Sequence, residues 1–153
     1  MVDNQHPIPK GVVVTRGNPV CKYERALSES AKPGMLVVFD TNDYTVQKAD
    51  GTGLPYGWLG YELSPADCRP DTIETAYNVG DIASVVAGAN FEIYALVTGA
   101  TGGSTIVPGT RMTDAGDGTL AVATTGDEVI AIAQESATVG EGAVSRIHVI
   151  SLI

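Results

Sequence analysis

The feature that most constrains this chain is an internal duplication. Lys32-Pro33-Gly34-Met35 is matched by Val107-Pro108-Gly109-Thr110, and each opens an apolar run after a turn. A polar turn and an alternating segment follow in both copies, Tyr44 to Ala49 in the first and Gly118 to Ala123 in the second. Each copy then reaches a small-residue strand ending in an acid: Gly57-Trp58-Leu59-Gly60-Tyr61-Glu62 against Ile130-Ala131-Ile132-Ala133-Gln134-Glu135. Finally Asn78-Val79-Gly80-Asp81 is answered by Thr138-Val139-Gly140-Glu141. The Pro-Gly pairs lie farther apart than the Val-Gly pairs, so the second copy is shorter, mainly in the loop after the acid. A half of this size has too few strands to bury both faces of its sheet. Two halves closing on one core is therefore the expected result.

The local patterns agree with β structure. Val, Ile and Thr recur in the apolar runs, and branched side chains suit a pleated, half-buried surface better than a helix. Phe91-Glu92-Ile93-Tyr94-Ala95-Leu96-Val97 alternates strictly, and the other runs are short and bounded by Gly, Asn, Asp and Pro. Many short strands with such punctuation indicate an all-β barrel or sandwich. One short helix is conceivable, either over Glu24 to Ala31 or at the turn Ser64-Pro65-Ala66-Asp67 with Ser64 as its cap.

Residues 1–20 read differently. Pro7, Pro9 and Pro19, with Gly11 and Gly17, bracket Val12-Val13-Val14. Proline cannot donate to a ladder and is confined to edges and strand starts. This stretch is expected to be an extended arm with at most one edge strand, ahead of a single β-barrel domain over residues 21–153. Such an arm is either a frayed terminus or a segment that orders on a partner.

At 153 residues the chain fits one domain and is long enough to bury roughly 70% of its unfolded surface without metals or disulfides. Its 18 acidic and 9 basic side chains give a net charge of −9. Nucleic-acid binders draw affinity from phosphate neutralisation, so no nucleic-acid partner is expected. An acidic surface does suit a basic protein partner. Met1-Val2-Asp3-Asn4-Gln5 is polar and no apolar h-region follows, so no signal peptide is expected. No run approaches the ~18 apolar residues of a membrane span. Cys21 and Cys68 have no metal-ligand spacing; they either pair as one disulfide or stay as two free thiols.

Catalytic patterns are missing, and no enzyme activity, metal or cofactor is expected. The two histidines, His6 and His148, stand apart from any local cluster of carboxylates or thiols. There is no Gly-x-Ser-x-Gly elbow. Asp40, Asp43 and Asp50, or Asp114 and Asp117, invite reading as paired acids or a calcium loop. Aspartates also build turns by bonding their own backbone, and that is the expected role. The Gly99 to Gly103 stretch lacks the Lys-Ser/Thr of a phosphate cradle. Trp58 and Tyr56, with Tyr61 and Tyr44, could make a sugar-stacking platform, but a large aromatic serves more often as a core or subunit anchor.

The order Pro-Gly, strand, Asp/Asn turn, strand, small-residue strand with a closing acid, Val-Gly-Asp, strand resembles that of capsid decoration (cement) proteins of tailed double-stranded DNA phages and related archaeal viruses. Here it is carried by Pro33-Gly34, Asp40 to Asp43, Trp58 to Glu62 and Val79-Gly80-Asp81, and again by Pro108-Gly109, Asp114 to Asp117, Ile130 to Glu135 and Val139-Gly140-Glu141. The longer loop between Glu62 and Tyr77 departs from the compact members. The resemblance implies a small β-tulip barrel that trimerises on the outside of a mature icosahedral capsid and stabilises it against genome pressure. It implies the major capsid protein and a homotrimer as partners, the virion exterior as location, and the host cytoplasm before assembly. An arm in such proteins reaches neighbours or the shell, which carries capsid binding onto His6, Pro7, Ile8, Pro9, Val12, Val13 and Val14. The rival expectations are a carbohydrate-binding β module of a phage fibre or secreted protein, and a small β-barrel enzyme.

Overall fold

The computed structural model describes residues 12–41 and 44–153, and every element among them is a β-strand. After β1 (Val14–Arg16), the first unit contributes β2 (Val20–Leu27), β3 (Leu36–Phe39), β4 (Thr45–Lys48), β5 (Gly57–Leu59) and β6 (Ile82–Ala87). These close a barrel in the order β2-β4-β3-β5-β6. The second unit contributes β7 (Glu92–Thr98), β8 (Ser104–Ile106), β9 (Arg111–Asp114), β10 (Leu120–Val122), β11 (Ala131–Ala133), β12 (Ala137–Val139) and β13 (Val144–Ser151). Its order β7-β10-β9-β11-β13 is closed by the pairing of β7 with β13. β1 adds to β7, and β8 with β12 forms a separate ribbon.

The duplication is exact at the level of topology. β2, β3, β4, β5 and β6 correspond to β7, β9, β10, β11 and β13. In each barrel the first strand runs parallel to the third and every other pairing is antiparallel. Register corresponds as well: Leu36↔Trp58↔Val86 in barrel 1 is answered by Arg111↔Ile132↔Ile150 in barrel 2. Even the isolated bridge Ala31↔Tyr77 matches Ile106↔Ala137. The structural register sets Trp58 against Ile132, one place on from the sequence match of Gly57 with Ile130. In strands that single step decides which face a side chain occupies.

Each unit closes its own barrel, where one shared barrel was expected from halves too small to bury two faces. The burial pattern supplies the reason. Leu27, Val37, Val46, Leu59, Ala83 and Val85 form one cluster with Ala31 and Tyr77, filling barrel 1. The alternate residues Leu36, Trp58 and Val86 face the other way, yet they are at most 1% exposed. They belong to a larger cluster with Phe91, Ile93, Leu120, Ile130 and Val149 of the second unit. One side of β3, β5 and β6 thus fills a barrel and the other side packs on the neighbouring barrel. The second face is buried by docking, so no shared closure is needed.

Polar contacts fix the same junction. Trp58 Nε1 donates to Ser151 Oγ at 2.9 Å in a buried setting. The Gly118 peptide sits between Leu36 and Ala49, accepting from Leu36 N at 2.8 Å and donating to Ala49 O at 3.0 Å. Arg146, 6% exposed on β13, donates from Nη1 to Pro33 O at 2.7 Å and Tyr94 O at 2.9 Å. Its Nη2 reaches Ile73 O at 2.7 Å and its Nε reaches Glu74 Oε1 at 2.7 Å. Gly34 must be glycine here: it holds φ at 85°, and a Cβ would lie 2.3 Å from Tyr94 O.

Neither helix forms. Glu24 to Leu27 lies in β2, where the barrel's ladder outweighs local propensity. Pro65 to Arg69 makes one turn, with Cys68 N and Arg69 N both bonded to Pro65 O. Ser64 caps nothing; its hydroxyl accepts from Ser84 N at 2.9 Å and meets the Tyr77 hydroxyl at 2.8 Å. Burial pushes the Tyr77 phenol up to about 12. Because the two barrels match in register and differ in what covers them, Trp58→Ala should lower unfolding stability by about 3–5 kcal/mol. Ile132→Ala, at the corresponding place on the half-buried side of barrel 2, should cost much less; urea titration of the two variants checks this.

Candidate functional site

The expected capsid-binding residues divide at the edge of barrel 2. His6, Pro7, Ile8 and Pro9 lie outside the described residues. Val12 is 37% exposed, whereas Val13 is fully buried in the large core cluster and Val14 packs against it. Val14 opens the one edge strand that the sequence allowed in this segment: β1 pairs with β7, and Val13 O accepts from Tyr94 N at 2.9 Å.

A carboxylate from the other barrel holds this root. Glu62 Oε1 accepts Val14 N at 2.7 Å, and both of its oxygens lie 3.2 Å from Val13 N. Among the described residues β1 pairs only with β7, and the carboxylate satisfies these two amides with charge-assisted bonds. The acid closing the small-residue strand was visible in the sequence; its long-range partners were not. Beside it, Val12, Val14, Pro19, Tyr61, Leu63 and Val86 line a mostly apolar groove of about 330 Å³.

The aspartates serve turns. Asp50 Oδ1 accepts Thr52 N at 3.0 Å, Asp117 Oδ1 accepts Thr119 N at 3.0 Å, and Asp127 Oδ2 accepts Thr124 N at 2.7 Å. The Thr52 hydroxyl and amide hold the Asp50 carboxyl below the usual range. Asp114 is different. Its Oδ1 accepts Gly116 N at 2.8 Å, but its Oδ2 is buried with no partner. Burial raises its pKa first, the Gly116 and Gly51 amides oppose the rise, and the nearby Asp50 and Asp117 charges add to it. Among the described residues no group of three or more His, Cys, Asp or Glu side chains is placed to hold a metal ion.

The other singled-out residues are in structural settings. Trp58 is fully buried, so no sugar-stacking platform forms on it. Tyr56 packs on Phe39 with ring centroids 4.0 Å apart, and Tyr61 donates to Pro70 O at 2.8 Å. His148 Nε2 is 2.7 Å from Thr15 Oγ1 and 3.3 Å from Glu92 Oε2, tying the final strand to β1. Cys68 is a free thiol. In the glycine-rich stretch, Gly102 N donates to Glu141 Oε2 at 2.9 Å.

No protein-family model matches the chain, and no curated protein does. Among solved structures, the chain is similar to the N base of head fibre gp8.5 in bacteriophage phi29, at a TM-score of 0.54 and 15% sequence identity. The match covers 84% of this chain and 91% of that one. The likeness is one of fold.

Two outcomes follow from these contacts. Glu62→Ala should leave the Val13 and Val14 amides unpaired and speed their hydrogen exchange at least ~10-fold, as losing bonds to a charged acceptor implies; protected amides in the variant would show that β1 does not depend on Glu62. Asp114 has its folded-state pKa raised, so the proton it binds stabilises the fold below the unfolded value of about 3.9, and that stability is lost as pH rises through the folded pKa. Asp114→Asn should therefore raise the melting temperature at neutral pH, by a gain that solvent screening keeps below about 1 kcal/mol. The gain should vanish in acid, which thermal melts across pH would read.

Proposed function

We propose that this chain is a structural protein of a tailed-phage virion, seated as a homotrimer on the outside of the icosahedral head and stabilising it. The observation that carries this reading is the two-barrel fold, shared over nearly the whole length of both chains with a phage head-fibre base. The decoration-protein pattern of the sequence points the same way. Turn-bound aspartates and a buried Trp58 are in keeping with a structural role, and the work proposed for this chain is mechanical.

The mechanism is thermodynamic linkage. A protein that binds the expanded shell in preference to its precursor stabilises the expanded state by mass action. Three modest contacts on one trimer act together through high effective concentration. The major capsid protein is the partner, and the net charge of −9 favours a basic patch on it while disfavouring nucleic acid. Contact falls to His6, Pro7, Ile8, Pro9 and Val12. The protein would wait in the host cytoplasm before assembly.

The test is deletion of residues 1–11, which spares Val13 and β1. The shortened chain should keep its melting temperature and fail to co-sediment with expanded capsids of the phage that encodes it. Undiminished co-sedimentation would remove the arm from the mechanism; a full-length chain that does not bind those capsids would overturn the reading itself.

A further inference from the structure

The duplication leaves half of an interface unused on each barrel. Where the barrels meet, barrel 1 presents Leu36, Trp58 and Val86, and barrel 2 answers with the Gly118 peptide, Ser151 and Arg146. The presenting ladder recurs on barrel 2 as Arg111, Ile132 and Ile150, in matching register. There Arg111 is exposed and both isoleucines are only partly buried. Beside them Val107 is 52% and Leu152 37% exposed.

The answering side recurs on barrel 1. Arg146 pairs with Leu96 of β7, and Gly118 stands two residues before Leu120, which pairs with Val97. Thr45, the residue after Tyr44, and Ile82 flank the corresponding Ala26 of β2. Tyr44 and Ile82 are both largely exposed, at 73% and 41%, and the Arg25 guanidinium lies 5.1 Å from the Tyr44 ring centroid. Tyr44 also holds φ at 68°, in the left-handed region that Gly118 occupies at 84°. A bulky residue kept there is strained, and such strain clusters at binding sites.

We propose that a second copy of this chain docks on the Arg111, Ile132 and Ile150 face of barrel 2 through Tyr44 and Ile82 of its own barrel 1. The contact repeats between copies what the two barrels already do within one. It rests on the homotrimer reading above and assigns that trimer its surfaces. The two surfaces differ, so the contact is heterologous, and a rotation that closes makes a ring. One difference from the internal junction has a physical consequence. Gly118 approaches barrel 1 so closely that a Cβ would lie 3.0 Å from Lys48 Cγ. Tyr44 carries a full ring at that place, so the copies stand farther apart, and Ile132 in place of Trp58 leaves room for the ring.

The test uses the full chain and sedimentation velocity, with circular dichroism to show that each variant is folded. Wild type should be oligomeric, and Ile132→Glu or Tyr44→Glu should each be monomeric. Mixed in equal amounts, the two variants retain one intact surface of each kind and should form a dimer and nothing larger. Arg111→Glu and Ile82→Glu make a second pair should either first variant misfold. A monomeric wild type, an oligomer that survives both substitutions, or a mixture that stays monomeric overturns the inference. These results are separate from capsid binding, since an oligomer untouched by both substitutions removes these surfaces and leaves the virion reading standing.

Discussion

The arrangement of the two barrels depends on one guanidinium. Arg146 leaves the final strand almost completely buried and spends its donors on three backbone carbonyls and one carboxylate, from Pro33, Tyr94, Ile73 and Glu74. Burial pulls its pKa down, and the Glu74 charge opposes the shift. A buried charge is tolerable only when its hydrogen-bonding capacity is used. Arg146 can therefore stay buried only while the Pro33-Gly34 turn and the loop carrying Ile73 are in place. Those segments belong to the first unit, so the second barrel's last strand and the first barrel's loops are specified together. Arginine suits this because its planar fork serves several acceptors at fixed angles, which a lysine could not.

Around that clamp the apolar packing is continuous. Strands β3, β5 and β6 are buried on both sides, one filling their own barrel and the other meeting its neighbour. The Trp58 indole lies at the centre of that meeting and satisfies its N–H on Ser151. The long loop after Glu62 extends the same junction: Tyr61 and Ile73 join the shared cluster, and Glu62 crosses to hold β1. What sets this chain apart from two tandem barrels is the amount of first-unit structure committed to the second. A body built this way resists shear between its halves.

The asymmetry between the copies is equally informative. At matching positions the first unit has Leu36, Trp58 and Val86 where the second has Arg111, Ile132 and Ile150. The aromatic went where burial is complete, and arginine and isoleucine where the surface is partly open. The same divergence appears at Gly118 and Tyr44, one stripped of its side chain for close approach and the other keeping an exposed ring beside Arg25. Duplication supplied two equivalent surfaces, and the internal junction consumed one of each.

By itself the sequence determined the class of structure: short runs of Val, Ile and Thr between Gly, Pro, Asn and Asp, repeated in the same order, can form only paired β units with aspartate-built turns. Alternation in a strand is a local property, and so are turns in which a carboxylate bonds an amide two or three residues away. The tertiary structure alone decided that each unit closes its own barrel, that Val13 belongs to the core, and that Glu62 and Arg146 are junction residues. Their partners lie 48 to 113 positions away. No local pattern encodes a contact at that range, because it depends on which faces remain uncovered after the barrels close. For the same reason the one-residue register of Trp58 against Ile132 emerged only from strand pairing, and with it the identity of the two faces left open.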